Sequence, residues 1–139
     1  MSLESMTKIK ALIAAGLAAL LPGCSPFTAV NLLVPRSGYT VHRNLAFGTD
    51  PRQRLDIYVP LGLKASAPVL LFFYGGSWQT GNRTDYLAFG QSFASAGIVT
   101  VVADCRLYPA VKYPAFVEDA ARALAWLHAH AGEYSGDPS

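Results

Sequence analysis

The chain alternates between apolar runs and short polar breaks, and the spacing of the runs predicts the elements. Gln53–Pro60 (QRLDIYVP) puts Leu55, Ile57 and Val59 on one side and Asp56 and Tyr58 on the other. That period of two predicts a half-buried strand, ended by Pro60. Tyr39–Phe47 alternates more weakly and predicts an earlier strand, and Gly48-Thr49-Asp50-Pro51 is a turn signal. Two strands joined by a short turn predict an antiparallel hairpin. Val69–Tyr74 is six apolar or aromatic residues in succession. Such a run cannot alternate faces, so it predicts a strand buried on both sides, the pattern of a parallel sheet. Ile98–Ala103 (IVTVVA) predicts another strand of that kind. Between them a helix begins at Thr84-Asp85, with Thr84 as its cap, Phe89, Phe93 and Ala96 on one face, and Gly97 closing it. Strand, helix and strand in this order predict a βαβ unit with parallel strands and a right-handed crossover. After Pro114 a second helix runs from Phe116 to about Ala131. Val117, Ala120, Leu124 and Leu127 form its apolar stripe, Glu118 and Asp119 lie in its first turn, and Gly132 and Gly136 mark its end.

The pattern differs before residue 39. Lys8 and Lys10 precede the short apolar run Ala11–Leu21, and Leu21-Pro22-Gly23-Cys24-Ser25 follows. A basic start, an apolar run too short to span a bilayer and a small residue before the break predict an export signal over residues 1–23, against the alternative of a buried N-terminal helix. Met6 gives a cleaner start than Met1, because Glu4 sits oddly in a basic region. The Leu-x-Gly-Cys segment resembles a bacterial lipobox, which implies lipidation of Cys24 and attachment to the cell envelope. Cleavage without lipidation is the alternative, since Pro22 is an unusual residue inside that box. Residues 24–38, with scattered Pro, Ser, Thr and Asn, predict a tether to a domain over residues 39–139.

Composition narrows the function. Of 139 residues, 52% are hydrophobic and 14% charged, with a net charge of +2. This is a folding chain of one domain, with no basic run to bind nucleic acid. The two cysteines, Cys24 and Cys105, make no spaced metal or disulfide framework. Cys105 is expected to pack as a small buried hydrophobe. No cofactor or metal is expected.

The stretch Ala67–Gly81 (APVLLFFYGGSWQTG) carries the candidate chemistry. A buried strand breaks abruptly into Gly75-Gly76, where no Cβ shields the backbone N–H groups. Bare amides at the end of a strand can stabilise a developing negative charge, although Gly-Gly also reads as a simple tight turn. The segments LDIYVP, YGGSW, DCRLYP, YPAFVEDAARALAWL and GDP together resemble the N-terminal part of α/β-hydrolase esterases, nearest the carboxylesterase and hormone-sensitive-lipase-like branch. The resemblance covers roughly residues 39–138 and implies an α/β fold class: an antiparallel hairpin followed by parallel β-α-β-α. It also implies that Gly75 and Gly76 supply oxyanion-hole amides, that Trp78 and Tyr74 wall the pocket, and that Asp104 and Arg106 form a supporting ion pair behind the loop. The family has His where this chain has Tyr74, so the loop's supporting hydrogen bonds must differ.

The family's nucleophile sits in Gly-x-Ser-x-Gly on the strand after the second helix, with acid and histidine later. The sequence stops at Ser139, just before that strand, and no such motif occurs within residues 1–139. The resemblance therefore implies a catalytic triad lying beyond Ser139. Ser77 follows a strand but is succeeded by Gln79 and Thr80-Gly81-Asn82 rather than by a helix, so it does not read as the nucleophile. His42 lies on the first strand, while His128 and His130 are two apart on a helix and point to different faces. Asp56, Asp104 and Asp119 have no identifiable partner base. The expectation is therefore the N-terminal fragment of an exported serine ester hydrolase, inactive as given, whose parent acts on a small ester. The alternative is a complete, small, non-catalytic binding lipoprotein on a half-hydrolase scaffold. A nucleotide-binding βαβ protein is disfavoured, because Gly75-Gly76 with Gly81 does not fit a phosphate loop. Lacking a neighbour, Val69–Tyr74 is expected to form a sheet edge and leave the chain poorly soluble or partly molten.

Overall fold

The structure is a computed structural model that describes residues 26–138. The expected export signal and Cys24 lie outside them, and so does Ser139, the residue beyond which the triad is expected. Four strands form one sheet in the order β1-β2-β4-β3: β1 Tyr39–Ala46, β2 Arg54–Pro60, β3 Val69–Phe73 and β4 Val99–Ala103. The expected hairpin is present, with β1 antiparallel to β2, and β3 and β4 are parallel. β4 lies between β2 and β3, antiparallel to β2, so the hairpin and the βαβ unit share one sheet.

Among the described residues there are three α-helices: α1 Pro26–Leu32, α2 Leu87–Ser95 and α3 Ala115–His130. On one face Ala123, Leu127 and Ala131 pack on Leu55, Ile57, Val99 and Val101. On the other, Leu87 and Ala94 pack on Tyr58 and Val102, with Val34 and Tyr39 completing the cluster. A sheet covered on both faces corrects the reading of β2 as half-buried: Asp56 and Tyr58 are buried as well. Tyr58 is covered by α2, which approaches so closely that a Cβ on Gly90 would lie 2.5 Å from the Tyr58 ring.

The tether expectation is corrected over Pro26–Leu32, which is helical and docked. Asn31 Nδ2 donates to the carbonyls of Thr84 and Asp85 at 3.1 and 3.2 Å, and the Ala88 N–H donates to Asn31 Oδ1 at 3.3 Å. The helix cap differs too. Asn82, not Thr84, accepts from the Thr84 N–H at 3.0 Å, and a 3-10 turn over Arg83–Tyr86 precedes α2.

The stripe expected on α3 is only partly the buried one. Asp119, Ala123 and Leu127 face inward, whereas Val117 and Leu124 are 56% and 58% exposed. The helix meets the sheet through Ala123 and Leu127. Leu124 and His128 instead border an open groove of about 370 Å³ with Val69 and Leu71 of β3. β3 is an edge strand of five apolar residues without a charge or bulge. The opposite edge is guarded: β1 shifts register between His42 and Leu45, Asn44 adopts φ 59°, and Arg43 is exposed.

Candidate functional site

The site is built where β3 and β4 end side by side. β3 runs into Tyr74-Gly75-Gly76-Ser77-Trp78 and β4 into Asp104-Cys105-Arg106-Leu107. Gly76 has φ +135°, and a Cβ there would lie 2.3 Å from the Thr80 carbonyl oxygen, so only glycine fits. Ser77 and Trp78 follow with φ 53° and 56°, a strained pair of left-handed residues. The Gly76 carbonyl accepts from the N–H of Gln79 and of Thr80, and the Tyr108 N–H holds the Trp78 carbonyl at 2.8 Å. Among the described residues, the backbone N–H groups of Gly75, Gly76, Ser77 and Trp78 make no such bond. These residues border a recess of about 240 Å³ whose apolar wall includes Phe73, Trp78 and Leu107. Trp78 stacks on Phe116 of α3, with ring centroids 5.5 Å apart. Free amides beside an apolar wall can hold a polarised carbonyl while excluding water from its substituent. A larger hollow, about 640 Å³, lies between Gly48–Gln53 and Arg106 and Arg122. Its two arginines are already paired with Asp119 and it lacks the strained amides, so the smaller recess is the better site.

Behind the loop lies a charged cluster. Arg83 donates through Nε to Asp56 Oδ1 at 2.8 Å and through Nη1 to Asp104, and its N–H donates to Asp104 Oδ1 at 2.8 Å. Both carboxylates are almost fully buried. The Tyr74 hydroxyl also donates to Asp104. Burial raises the Tyr74 phenol, and the bond to Asp104 raises it further, so it stays protonated and donating. Arg106 instead makes paired bonds to Asp119, at 2.9 Å from Nε and 2.7 Å from Nη2. This corrects the expected Asp104–Arg106 pair. The chain leaves β4 between two buried carboxylates on opposite sides of the sheet, and each takes its own arginine. Asp119 is fully buried, and Arg106 is the closer of its two cations, since the half-exposed Arg122 reaches it only at 3.3 Å. Both residues support the loop, but in separate networks.

Tyr74 borders the recess, but its ring turns toward Tyr86, stacked at 5.0 Å. Cys105 also borders the recess, and burial pushes its thiol up, which makes it a poor nucleophile. No histidine lines the recess, so Ser77 has no adjacent base there. His42 packs edge-on against Tyr134, His130 meets Glu133 Oε1 at 2.9 Å, and His128 borders the groove beside β3. Among the described residues, no three His, Cys, Asp or Glu side chains come together as a metal site. The partners of Asp56, Asp104 and Asp119 are arginines, a tyrosine, a glutamine and backbone N–H groups. Sequence reasoning missed Arg83, Arg52 and Gln53. The available signal was Asp56: an aspartate inside an apolar strand needs a cation, and few arginines lie near enough.

Comparison with known proteins agrees with this geometry. A probable isoprenylcysteine alpha-carbonyl methylesterase of Arabidopsis thaliana (ICMEL1) is 33% identical over 98 residues, covering 70% of this chain and 21% of its own length. The probable carboxylic ester hydrolase LipM of Mycobacterium tuberculosis is 36% identical over 104 residues, covering 72% of this chain and 24% of its own. The chain thus spans about a quarter or less of the curated relatives it matches. Among solved structures, esterase B from Lactobacillus rhamnosis superposes with a TM-score of 0.72 at 23% identity, over 95% of this chain and 41% of that one, a likeness of fold. A bacterial heroin esterase gives 0.71 at 27% identity, over 90% and 38%. The four-stranded sheet is accordingly part of an α/β-hydrolase sheet, and the match to the BD-FAE family model over residues 55–139 places this chain in the BD-FAE family of esterase-like hydrolases.

Proposed function

We propose that this chain supplies the carbonyl-binding part of an exported serine ester hydrolase. The free N–H groups around Gly75 and Gly76, in a loop that requires glycine at position 76 and borders an apolar recess, carry this reading. The ester carbonyl oxygen lies against these amides, which gain strength as the oxygen becomes an oxyanion. Trp78 and Leu107 take the apolar substituent of a small ester. Nucleophile, acid and histidine are supplied from beyond Ser139, so residues 1–139 alone bind an ester without turning it over. Export follows from residues 1–23, and lipidation at Cys24 holds the protein at the cell envelope. No cofactor takes part.

The test uses the purified chain with short-chain ethyl esters. Saturable amide shifts at Gly75 and Gly76, without ester turnover and without fluorophosphonate labelling of Ser77, are expected. Absence of shifts overturns carbonyl binding, and labelling of Ser77 overturns the assignment of the nucleophile elsewhere. Palmitate incorporation in a bacterial host, lost in Cys24→Ala, is the expected result for lipidation.

A further inference from the structure

The turn between β1 and β2 sends one side chain across to the loop just described. The Arg52 N–H donates to Asp50 Oδ1 at 2.8 Å, which fixes where that side chain starts. Its Nε donates to the Cys105 carbonyl at 2.7 Å. Its Nη2 donates to the Tyr74 hydroxyl at 3.0 Å and to the Gly81 carbonyl at 3.1 Å, and lies 3.8 Å from Asp104 Oδ1. Tyr74 and Gly81 are the first and last residues of the glycine loop. One guanidinium nitrogen therefore grips both ends of the loop, while Nε grips the neighbouring segment after β4. The ends are also close-fitted, since a Cβ on Gly81 would lie 2.5 Å from the Tyr74 ring.

We infer that Arg52 is the positioning residue of the candidate oxyanion loop: it holds Tyr74, Gly81 and Cys105 in one frame and thereby sets where the Gly75 and Gly76 amides lie. This rests on the carbonyl-binding reading for its functional meaning, though not for its geometry. Loss of these three contacts would let the loop open without opening the sheet, because β2, β3 and β4 keep their own ladders. Lysine cannot replace Arg52, because a point charge with one nitrogen does not span acceptors gripped by both Nε and Nη2.

The experiment measures hydrogen exchange, residue by residue, on the whole chain and on Arg52→Met, Arg52→Lys and Tyr74→Phe. In Arg52→Met, exchange at Gln79 and Thr80, whose N–H groups donate to Gly76, should rise about tenfold or more relative to that at Val101 and Val102. Arg52→Lys should not restore it. Tyr74→Phe, which removes only the shared hydroxyl, should loosen the same amides and serves if Arg52→Met fails to fold. Uniform exchange changes across loop and sheet, unchanged loop exchange, or full rescue by lysine overturns the inference. Ester binding, read from the Gly75 and Gly76 shifts, separates the two readings. A loop that loosens in a chain that binds no ester keeps the positioning and removes the carbonyl-binding function. Ester binding equal in wild type and Arg52→Met removes the positioning and keeps that function.

Discussion

Arg83 is the residue whose removal tells most about what holds the site together. It stands between two carboxylates, Asp56 and Asp104, which are 1% and 2% exposed, while its own side chain is only 13% exposed. Arg83→Met keeps the aliphatic stem and removes the charge. Breaking a buried pair costs about 3–5 kcal/mol, because the partner is left as an uncompensated buried charge. Here two carboxylates are stranded, but neither is left bare. Asp56 keeps the Asn44 N–H at 2.8 Å and Arg43 at 3.4 Å, and Asp104 keeps the Tyr74 hydroxyl. These remaining partners, with Arg52 3.8 Å from Asp104, place the expected loss near the lower bound, about 3 kcal/mol. Against a total stability of roughly 5–15 kcal/mol, that is a large share, and it corresponds to a melting temperature lower by about 10 °C or more. Urea unfolding of the purified chain followed by circular dichroism reads it directly. The double variant Arg83→Met with Asp104→Asn should recover about 1–2 kcal/mol, since one stranded charge is gone. A loss below about 1 kcal/mol for Arg83→Met, the range of an exposed ion pair, would refute the assignment of the cluster as buried and structural.

Gly76→Ala should cost at least about 2 kcal/mol, from its φ of +135° and the clash with the Thr80 carbonyl. Gly75→Ala, with nothing within 4 Å of the new Cβ, should stay within about 1 kcal/mol of wild type by urea unfolding. Equal costs at the two positions would sink the loop geometry. The Tyr58 hydroxyl is buried with no well-formed hydrogen bond among the described residues, and burial together with the Asp56 charge pushes its pKa up to about 12 against the opposing pull of nearby Arg43. Tyr58→Phe should therefore be neutral or stabilising by about 1 kcal/mol in the same assay, and a loss above that would show a partner in solution. Burial alone would raise the Asp119 carboxyl, but bonds from the Arg106 side chain and N–H and from Gln53 outweigh it and hold the carboxyl below its usual range. A depressed carboxylate stabilises the fold above its unfolded pKa, and that contribution is lost as pH falls through the folded one. Melting temperature should thus drop from about pH 4 downward more steeply in wild type than in Asp119→Asn, and parallel curves would contradict this.

The order of elements was legible because the apolar runs at Val69 and Val99 have no alternation, and a glycine closes the helix between them. The hairpin was legible from period two, yet the same alternation misled at β2. Asp56 and Tyr58 look like a solvent face until α2 covers Tyr58 and Arg83, from the turn just before α2, reaches Asp56. The α3 stripe misled in the opposite direction. Val117 and Leu124 have helical spacing, but only Leu127 of that side, with Ala123, meets the sheet. A pattern shows that a face is apolar and not which neighbour it meets. The loop glycines were readable from chemistry, since φ and close approach restrict the residue locally. Their supports were not: Arg52 to Gly81 and Arg83 to Asp104 connect residues 29 and 21 positions apart, and no local period links such partners. The expected Asp104–Arg106 pair failed for the same reason, because Asp119, 13 positions from Arg106, was the stronger claimant.

The two margins of the sheet differ, and the difference fixes a valence. A sheet with two receptive margins can lengthen without limit, each added strand offering a new margin to the next. Here β1 is bent by its register shift and keeps the half-exposed Arg43 along it, tied to Asp56, so among the described strands only β3 can accept another. Two copies meeting β3 to β3 would consume both receptive margins at once and leave only bent ones. Sheet-mediated self-association of this chain should therefore stop at a pair, while any process that straightens β1 would convert a terminating assembly into a propagating one.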